Sequence, residues 1–457
     1  MDEPPLPRPG RTPPTGRLRR TLRPGVLLMR TGAAQAVAAT RAAVTRDASV
    51  KEMLEDERLA RAAEHAARTM GDMKGAVMKV GQLLSFVDLD LVPPAYRRAL
   101  EVLQADAPPM PAGLAEQVVE AELGAPIGDL FTYFSPEPIA AASIGQVHMA
   151  RFGEGDDEVE AVVKVQYPGI ADAVEADLAN ASLVSAVATL AQGALRSLVP
   201  QVDARAIVEE IRDRVRDELD YEKEAASQAR FADLHRDEPR IHIPRVFPER
   251  SGRRVLTMEY VDGMRWRAAL DAPKDLRDQW GITIARFVFG SLYRHGLFNA
   301  DPHPGNYLFH QDGSVTFLDF GCVKEFAPER IEQYWATAAA VKAGDEEAIL
   351  DHMVALGLLR DRDVGDVAAR LFEQVYRAWE PLRAPQPFTY TREWAAAAAA
   401  DLMEMKFDRE TRALVKRLDL PPDQVFLMRI TAGLNSVLAG LGATIDWNTL
   451  GTDIWGW

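Results

Sequence analysis

The hydrophobic pattern changes period several times along the chain. Residues 1–24 are rich in Pro, Gly and Arg, with few apolar positions, and predict a disordered tail. From residue 26 apolar positions recur at helical spacing and run into 71–86, where Ala76, Val77, Val80, Leu83 and Leu84 form one stripe. Lys79 and Gln82 sit three apart on that helix and share a face. A short helix is expected at 112–123. The period then changes: 139–149 reads as a small-residue loop between two strands, and 159–165 as a strand after a Gly/Asp turn at 153–157. Two helical runs follow, 177–196 and 204–234, the second crowded with acids. Residues 255–261 read as a buried strand and 276–295 as an amphipathic helix. Two strand-like runs flank the turn Gln311-Asp312-Gly313. From Pro328 to Leu438 the pattern is helical with short loops, including 394–403.

Bulk composition narrows the function. The 457 residues suffice for one two-lobed domain or two domains. A net charge of −15 argues against nucleic acid as the partner, because phosphate backbones call for clustered Lys and Arg. The single cysteine, Cys322, excludes an internal disulfide framework and fits a reducing compartment; it reads as a small core residue. No signal peptide and no run of about 20 apolar residues is evident, since 181–195 is interrupted by Gln192 and 426–445 by Arg429 and Asn435. The reading is a cytoplasmic protein, with peripheral membrane contact left open. Arg17, Arg19, Arg20 and Arg23 could touch anionic lipid, although a solvated tail is the simpler account. Trp455 and Trp457 suggest an interface or a packed terminus with equal weight.

The stretch 296–321 carries the most specific chemistry. Asp301 precedes Asn306 in DPHPGN, and the following hairpin ends at Asp319-Phe320-Gly321. Metal-assisted phosphoryl transfer needs one Asp to position the nucleophile, an Asn to hold Mg²⁺, and a second Asp to bridge Mg²⁺ to the phosphates. Asp301, Asn306 and Asp319 fit those roles in that order. Upstream, Lys164 lies in an apolar strand, where a charge is costly unless paired, and so demands a carboxylate from a helix. Glu224 and Glu218 are the candidates; Glu222 reads as solvated. The loop before that strand, with Ala140, Ala141, Ala142, Ser143 and Gly145, has one glycine where phosphate-cradling loops have several. Strand 255–261 has the character of a hinge, with Met258 lining a pocket and backbone groups near Glu259 and Val261 facing an adenine edge. No long loop ending in Ala-Pro-Glu follows residue 321, which argues against a peptide substrate.

The order of strand lysine, acidic helix, hinge, Asp301…Asn306 and Asp319-Phe320-Gly321 resembles a protein-kinase-like fold. Lys79-Val-Gly-Gln82, the Ala-rich 140–147 with IGQVH, Glu218-Leu-Asp220-Tyr with Glu224, and Asp301-Pro-His-Pro-Gly-Asn306 resemble one branch of it, the UbiB-like (AarF/UbiB/ADCK) atypical kinases, across residues 70–325. The resemblance implies an α+β fold of two lobes, with an N-terminal helical extension over the cleft and a largely helical C-lobe. The corresponding division is a basic tail at 1–24, an extension at 25–125, an N-lobe at 126–261 and a C-lobe at 262–457. It further implies that Lys79 and Gln82 pack over the nucleotide cleft, that Lys79 approaches Glu218 and Asp220, and that Glu224 pairs with Lys164. ATP and Mg²⁺ are the implied cofactors. The activity is then an atypical kinase or ATPase with a non-peptide acceptor, tied in relatives to isoprenoid quinone or other lipid metabolism. A nucleotide-gated regulator or lipid-handling protein with little turnover is the alternative. Two positions depart from the pattern: Asn299 stands where His is common, and Ser227 where Asn is common.

Overall fold

The computed structural model describes residues 110, 113–142, 144–178, 216–299, 302–404, 414, 417–418 and 421–455. Helix α1 (Leu114–Leu123) leads to strands β1 (Tyr133–Phe134), β2 (Ala140–Ala142), β3 (Gly145–Phe152) and β4 (Val159–Gln166). Helix α2 (Ile170–Leu178), helix α3 (Tyr221–Leu234), the short β5 (Ile241–His242) and β6 (Val255–Glu259) follow. One antiparallel sheet runs β1-β3-β4-β6, with β2 also on β3. Register sets Lys164 opposite Val147 on one side and Leu256 on the other, and Val162 opposite Met258.

Alternation along these strands gives the sheet two faces. Ala161, Val163 and Val165 turn toward Val118 and Val119 of α1, and with Phe131, Phe152 and Phe247 they form a closed apolar core. Val162 and Lys164, one residue out of phase, face the other way, onto a cleft. Gly145 opens β3 because the backbones meet there: an ideal Cβ would lie 2.2 Å from the Val165 carbonyl oxygen.

The second core is larger and mostly helical. Helix α4 (Lys274–His295) runs through it and delivers the chain to β7 (Leu297–Asn299). β8 (Tyr307–Phe309) and β9 (Val315–Phe317) form the expected hairpin, joined through Gly313 at φ 82°, a conformation that glycine adopts at no steric cost. β10 (Val323–Glu325) returns to pair with β7. The helices α5 (Pro328–Ala343), α6 (Glu346–Ala355) and α7 (Ala368–Ala378) come next. They are followed by β11 (Phe388–Thr389), α8 (Arg392–Glu404), α9 (Pro422–Leu441), β12 (Thr444–Ile445) and α10 (Trp447–Trp455). Trp280, Ile284 and Phe287 of α4 pack between the hairpin residues Phe309 and Phe317 and the α9 residues Leu434 and Leu438. The Trp280 indole satisfies its N–H on the His310 carbonyl at 2.8 Å. Cys322 is buried, as a small core residue should be.

The architecture is α+β. One expectation is corrected: the helix read as continuous over 204–234 breaks before Tyr221. Asp220 is the cause. Its carboxylate accepts from the backbone N–H of Glu222 at 3.1 Å and of Lys223 at 3.4 Å, so it starts a new helix rather than continuing one. A second correction concerns 140–142: the alanines form an edge strand on β3 rather than a loop. Among the described residues, no helix is long and apolar enough to cross a membrane.

Candidate active site

A cavity of about 670 Å³ opens between the sheet and the helical core, within the size range of sites that bury a small ligand. Its upper wall is the face of β2, β3, β4 and β6 that carries Ala140–Ala142, Val147, Val162, Lys164 and Met258. Its lower wall carries Asn306, Leu308 and Asp319.

Lys164 is 8% exposed, and its Nζ donates to Glu224 Oε1 at 2.5 Å. Glu224, 5% exposed, comes from the first turn of α3, where the Asp220 cap fixes the helix start. Burial alone would push the Lys164 pKa down, but Glu224, Asp319 and Tyr221 outweigh it and hold the ammonium well above the usual lysine range. Burial pushes Glu224 up, opposed by Lys164 and reinforced by Asp319 and Glu218. The pair is therefore a coupled, desolvated unit on the cavity wall.

The turn before α3 is tied to β4: the Gln166 amide donates to the Leu219 carbonyl at 3.1 Å and the Arg253 carbonyl at 3.3 Å. This holds Glu218 on the cavity wall. The carboxylates converge at Gly321, where an ideal Cβ would lie 3.4 Å from Asp319 Oδ1, 3.7 Å from Glu224 Oε2 and 3.8 Å from Glu218 Cγ. Asp319 Oδ1 accepts from the Gly321 N–H at 3.0 Å. The backbone N–H of Leu318 donates to the Asn306 carbonyl at 3.0 Å, locking the two oxygen-bearing side chains into adjacent places. Asn299, on β7, donates from Nδ2 to the Asp319 carbonyl at 2.7 Å.

The Glu259 side chain turns away: His242 and the Arg245 N–H bond its carboxylate and hold it below the usual range, against the effect of burial. The backbone N–H of Val261 donates to no other backbone group among the described residues.

Of the residues singled out from sequence, the cavity brings together Ala140, Ala141, Ala142, Lys164, Glu218, Glu224, Met258, Glu259, Val261, Asn306 and Asp319. Gly145 sits at the start of β3, behind the cavity lining. Asp220 does not line the cavity; it caps α3. Asp301, Ser143, Lys79 and Gln82 lie outside the described residues. Sequence reasoning missed Tyr221, Leu308 and Arg265, which also line the cavity. Leu308 was findable, since alternation from Asn306 along an apolar strand puts it on the same side. Tyr221 follows directly on the Glu218-Leu-Asp220 triplet, and nothing in the spacing distinguishes it.

Residues 102–353, more than half of the chain, match the family described as the ABC1 atypical kinase-like domain. The chain belongs to this ABC1, or UbiB-like, atypical kinase family. Within the family it is 38% identical to an uncharacterized Synechocystis protein over 55% of this chain and 36% of that one, and so spans little more than a third of that relative. It is 29% identical to the mitochondrial atypical kinase COQ8B of Rattus norvegicus over 84% of this chain and 70% of that one. A solved structure of the Mycobacterium tuberculosis protein Rv3197 with erythromycin superposes with a TM-score of 0.62 at 31% identity, covering 89% of this chain and 98% of that one. The kinase-like fold follows from both the family match and the structural one.

The donor set suits the cofactors an ABC1 atypical kinase implies. Asn306 and Asp319 offer hard oxygen ligands on adjacent backbone segments, as Mg²⁺ prefers, with room left for phosphate oxygens. Lys164 is a charged donor on the facing wall, and Met258, Val147 and Leu308 would supply apolar surface for a base.

Proposed function

We propose that the chain binds Mg-ATP in this cleft and transfers or hydrolyses the γ-phosphate. The observation that carries the reading is the buried Lys164–Glu224 ion pair facing Asn306 and Asp319 across one cavity. A buried pair is weak evidence for stability, because desolvation offsets the attraction, so its presence on a cavity wall speaks for a ligand. Lys164 holds the α and β phosphates, Glu224 orients it, Asn306 and Asp319 hold Mg²⁺, and Asp301 positions the nucleophile. Mg²⁺ supplies neutralisation of charge on the phosphates. Residues 126–261 form the N-lobe and 262–457 the C-lobe. Lys79 and Gln82, outside the described residues, are assigned a regulatory role at the cleft. The acceptor is not a peptide. The process served is lipid or isoprenoid-quinone related, with contact to anionic membrane lipid.

The test is nucleotide hydrolysis by the purified chain with Mg²⁺, with and without anionic vesicles. Asp319→Asn abolishes Mg²⁺-dependent turnover at unchanged melting temperature; full activity in that variant would overturn the assignment. Lys79→Ala alters nucleotide affinity or turnover, and unchanged kinetics would reduce Lys79 to a surface residue.

A second reading is a nucleotide-gated regulator or lipid-handling protein with little turnover. One observation favours it: the mycobacterial relative was solved with erythromycin, a ligand that is not a nucleotide. Mg²⁺-dependent binding without turnover selects this reading.

A further inference from the structure

One group in the cavity wall has no part in the reading above. Tyr221 is the first residue of α3, 3% exposed, and its ring centroid lies 5.5 Å from the Lys164 ammonium. That geometry is a cation–π contact. Its hydroxyl is buried and has no hydrogen-bond partner among the described residues. Buried tyrosine hydroxyls ordinarily find a partner, because a desolvated polar group without one is penalised.

The backbone cannot relieve the penalty. The Tyr221 N–H donates to the Arg253 carbonyl at 3.0 Å, and the Asp220 cap fixes the turn before it. The surroundings define what the hydroxyl lacks. Burial raises its pKa, so it stays protonated and is a donor in search of an acceptor. Lys164 cannot accept. Three carboxylates act on the hydroxyl electrostatically, Glu224, Asp319 and Glu218, and none of them lies in hydrogen-bonding geometry with it. Glu224 Oε1 holds Lys164, and Asp319 Oδ1 holds the Gly321 N–H.

We infer that Tyr221 is a positioning residue of the nucleotide cleft, whose hydroxyl acquires its acceptor only when the cleft is filled. An ammonium carries three protons, so phosphate oxygens can bind Lys164 while Glu224 keeps one of them. The ammonium shifts toward the phosphates, and the Glu224 carboxylate, moving with it, turns an oxygen to the Tyr221 hydroxyl. Glu224 is then held from both sides while it orients Lys164, and the ring keeps its place beside the ammonium. This rests on the nucleotide reading of the cleft.

Tyr221→Phe keeps the ring and removes only the hydroxyl. Melting curves and titrations with Mg-ADP on the full chain test the inference. Without nucleotide the variant melts ~1–3 °C higher, because an unsatisfied buried group is gone. With nucleotide it binds about tenfold more weakly, the worth of one hydrogen bond, so the nucleotide-induced shift shrinks. Those opposite signs are not what a purely structural hydroxyl gives. A lower melting temperature in the free variant would show the hydroxyl already bonded, and equal Mg-ADP affinity in both proteins would show it idle; either sinks the inference and leaves the nucleotide reading standing. No Mg-ADP binding by the unmodified chain overturns both.

Discussion

Lys164 illustrates how far one residue can be read. A lysine in an apolar strand demanded a carboxylate, and the structure pairs it with Glu224, one of two candidates on the acidic run. Spacing alone left the choice between them open, because it depends on where the helix starts; the family resemblance pointed to Glu224. Removing one partner leaves an uncompensated buried charge, so Lys164→Met should cost about 3–5 kcal/mol in a denaturant titration. Adding Glu224→Leu should restore most of that loss without restoring nucleotide binding. His235 gives a second expectation. Burial, with help from Arg294 and His295, pushes it from 6.5 down to about 4, while its Nε2 lies 2.7 Å from Ser291 Oγ. The folded state resists a proton that the unfolded state accepts. The stabilisation is therefore complete above pH 6.5 and is lost as pH falls toward about 4, up to ~3 kcal/mol in all. Melting temperature against pH should show this slope, and His235→Gln should flatten it.

At the scale of elements, strong periodicity was readable and two-residue strands were not. Helix α4 and the β8–β9 hairpin follow from long apolar patterning and from an Asp-Gly turn. β5, β11 and β12 have no pattern of their own; neighbours impose them. The break before α3 was hidden because apolar spacing continues through it, while a single Asp side chain competes locally for the backbone. β2 was hidden because alanine has little strand propensity and owes its extended shape to pairing with β3. At the junction of β3 and β4, Gly145→Ala would drive a methyl into the Val165 carbonyl, and a loss of about 1–3 kcal/mol in thermal or urea unfolding is expected.

At the scale of the whole molecule, the family follows from the combination of spaced motifs, since no single one is specific. The sheet core and the helical core are separate apolar clusters, and α3 links the helical core to the cleft face of the sheet: Phe231 packs in the helical core, with its ring 5.2 Å from Phe320, while Tyr221 packs with Leu256 of β6 in a third, smaller cluster. A ligand in the cavity touches both halves at once. At a hundredfold excess over Kd, Mg-ADP should add about 2.7 kcal/mol to stability, seen in calorimetry as one transition moving upward. Two transitions, of which only one moves, would place the ligand elsewhere.

The amide of Asn299 holds the carbonyl of Asp319. An amide has no proton to gain or lose between pH 5 and 8. The grip on the backbone under Asp319 is thus deaf to acidity across the physiological range. Replacing Asn299 with His would fit the protein with a pH meter at the segment proposed to hold Mg²⁺, and nucleotide binding in that variant should gain an inflection near neutrality that is absent from the unchanged chain.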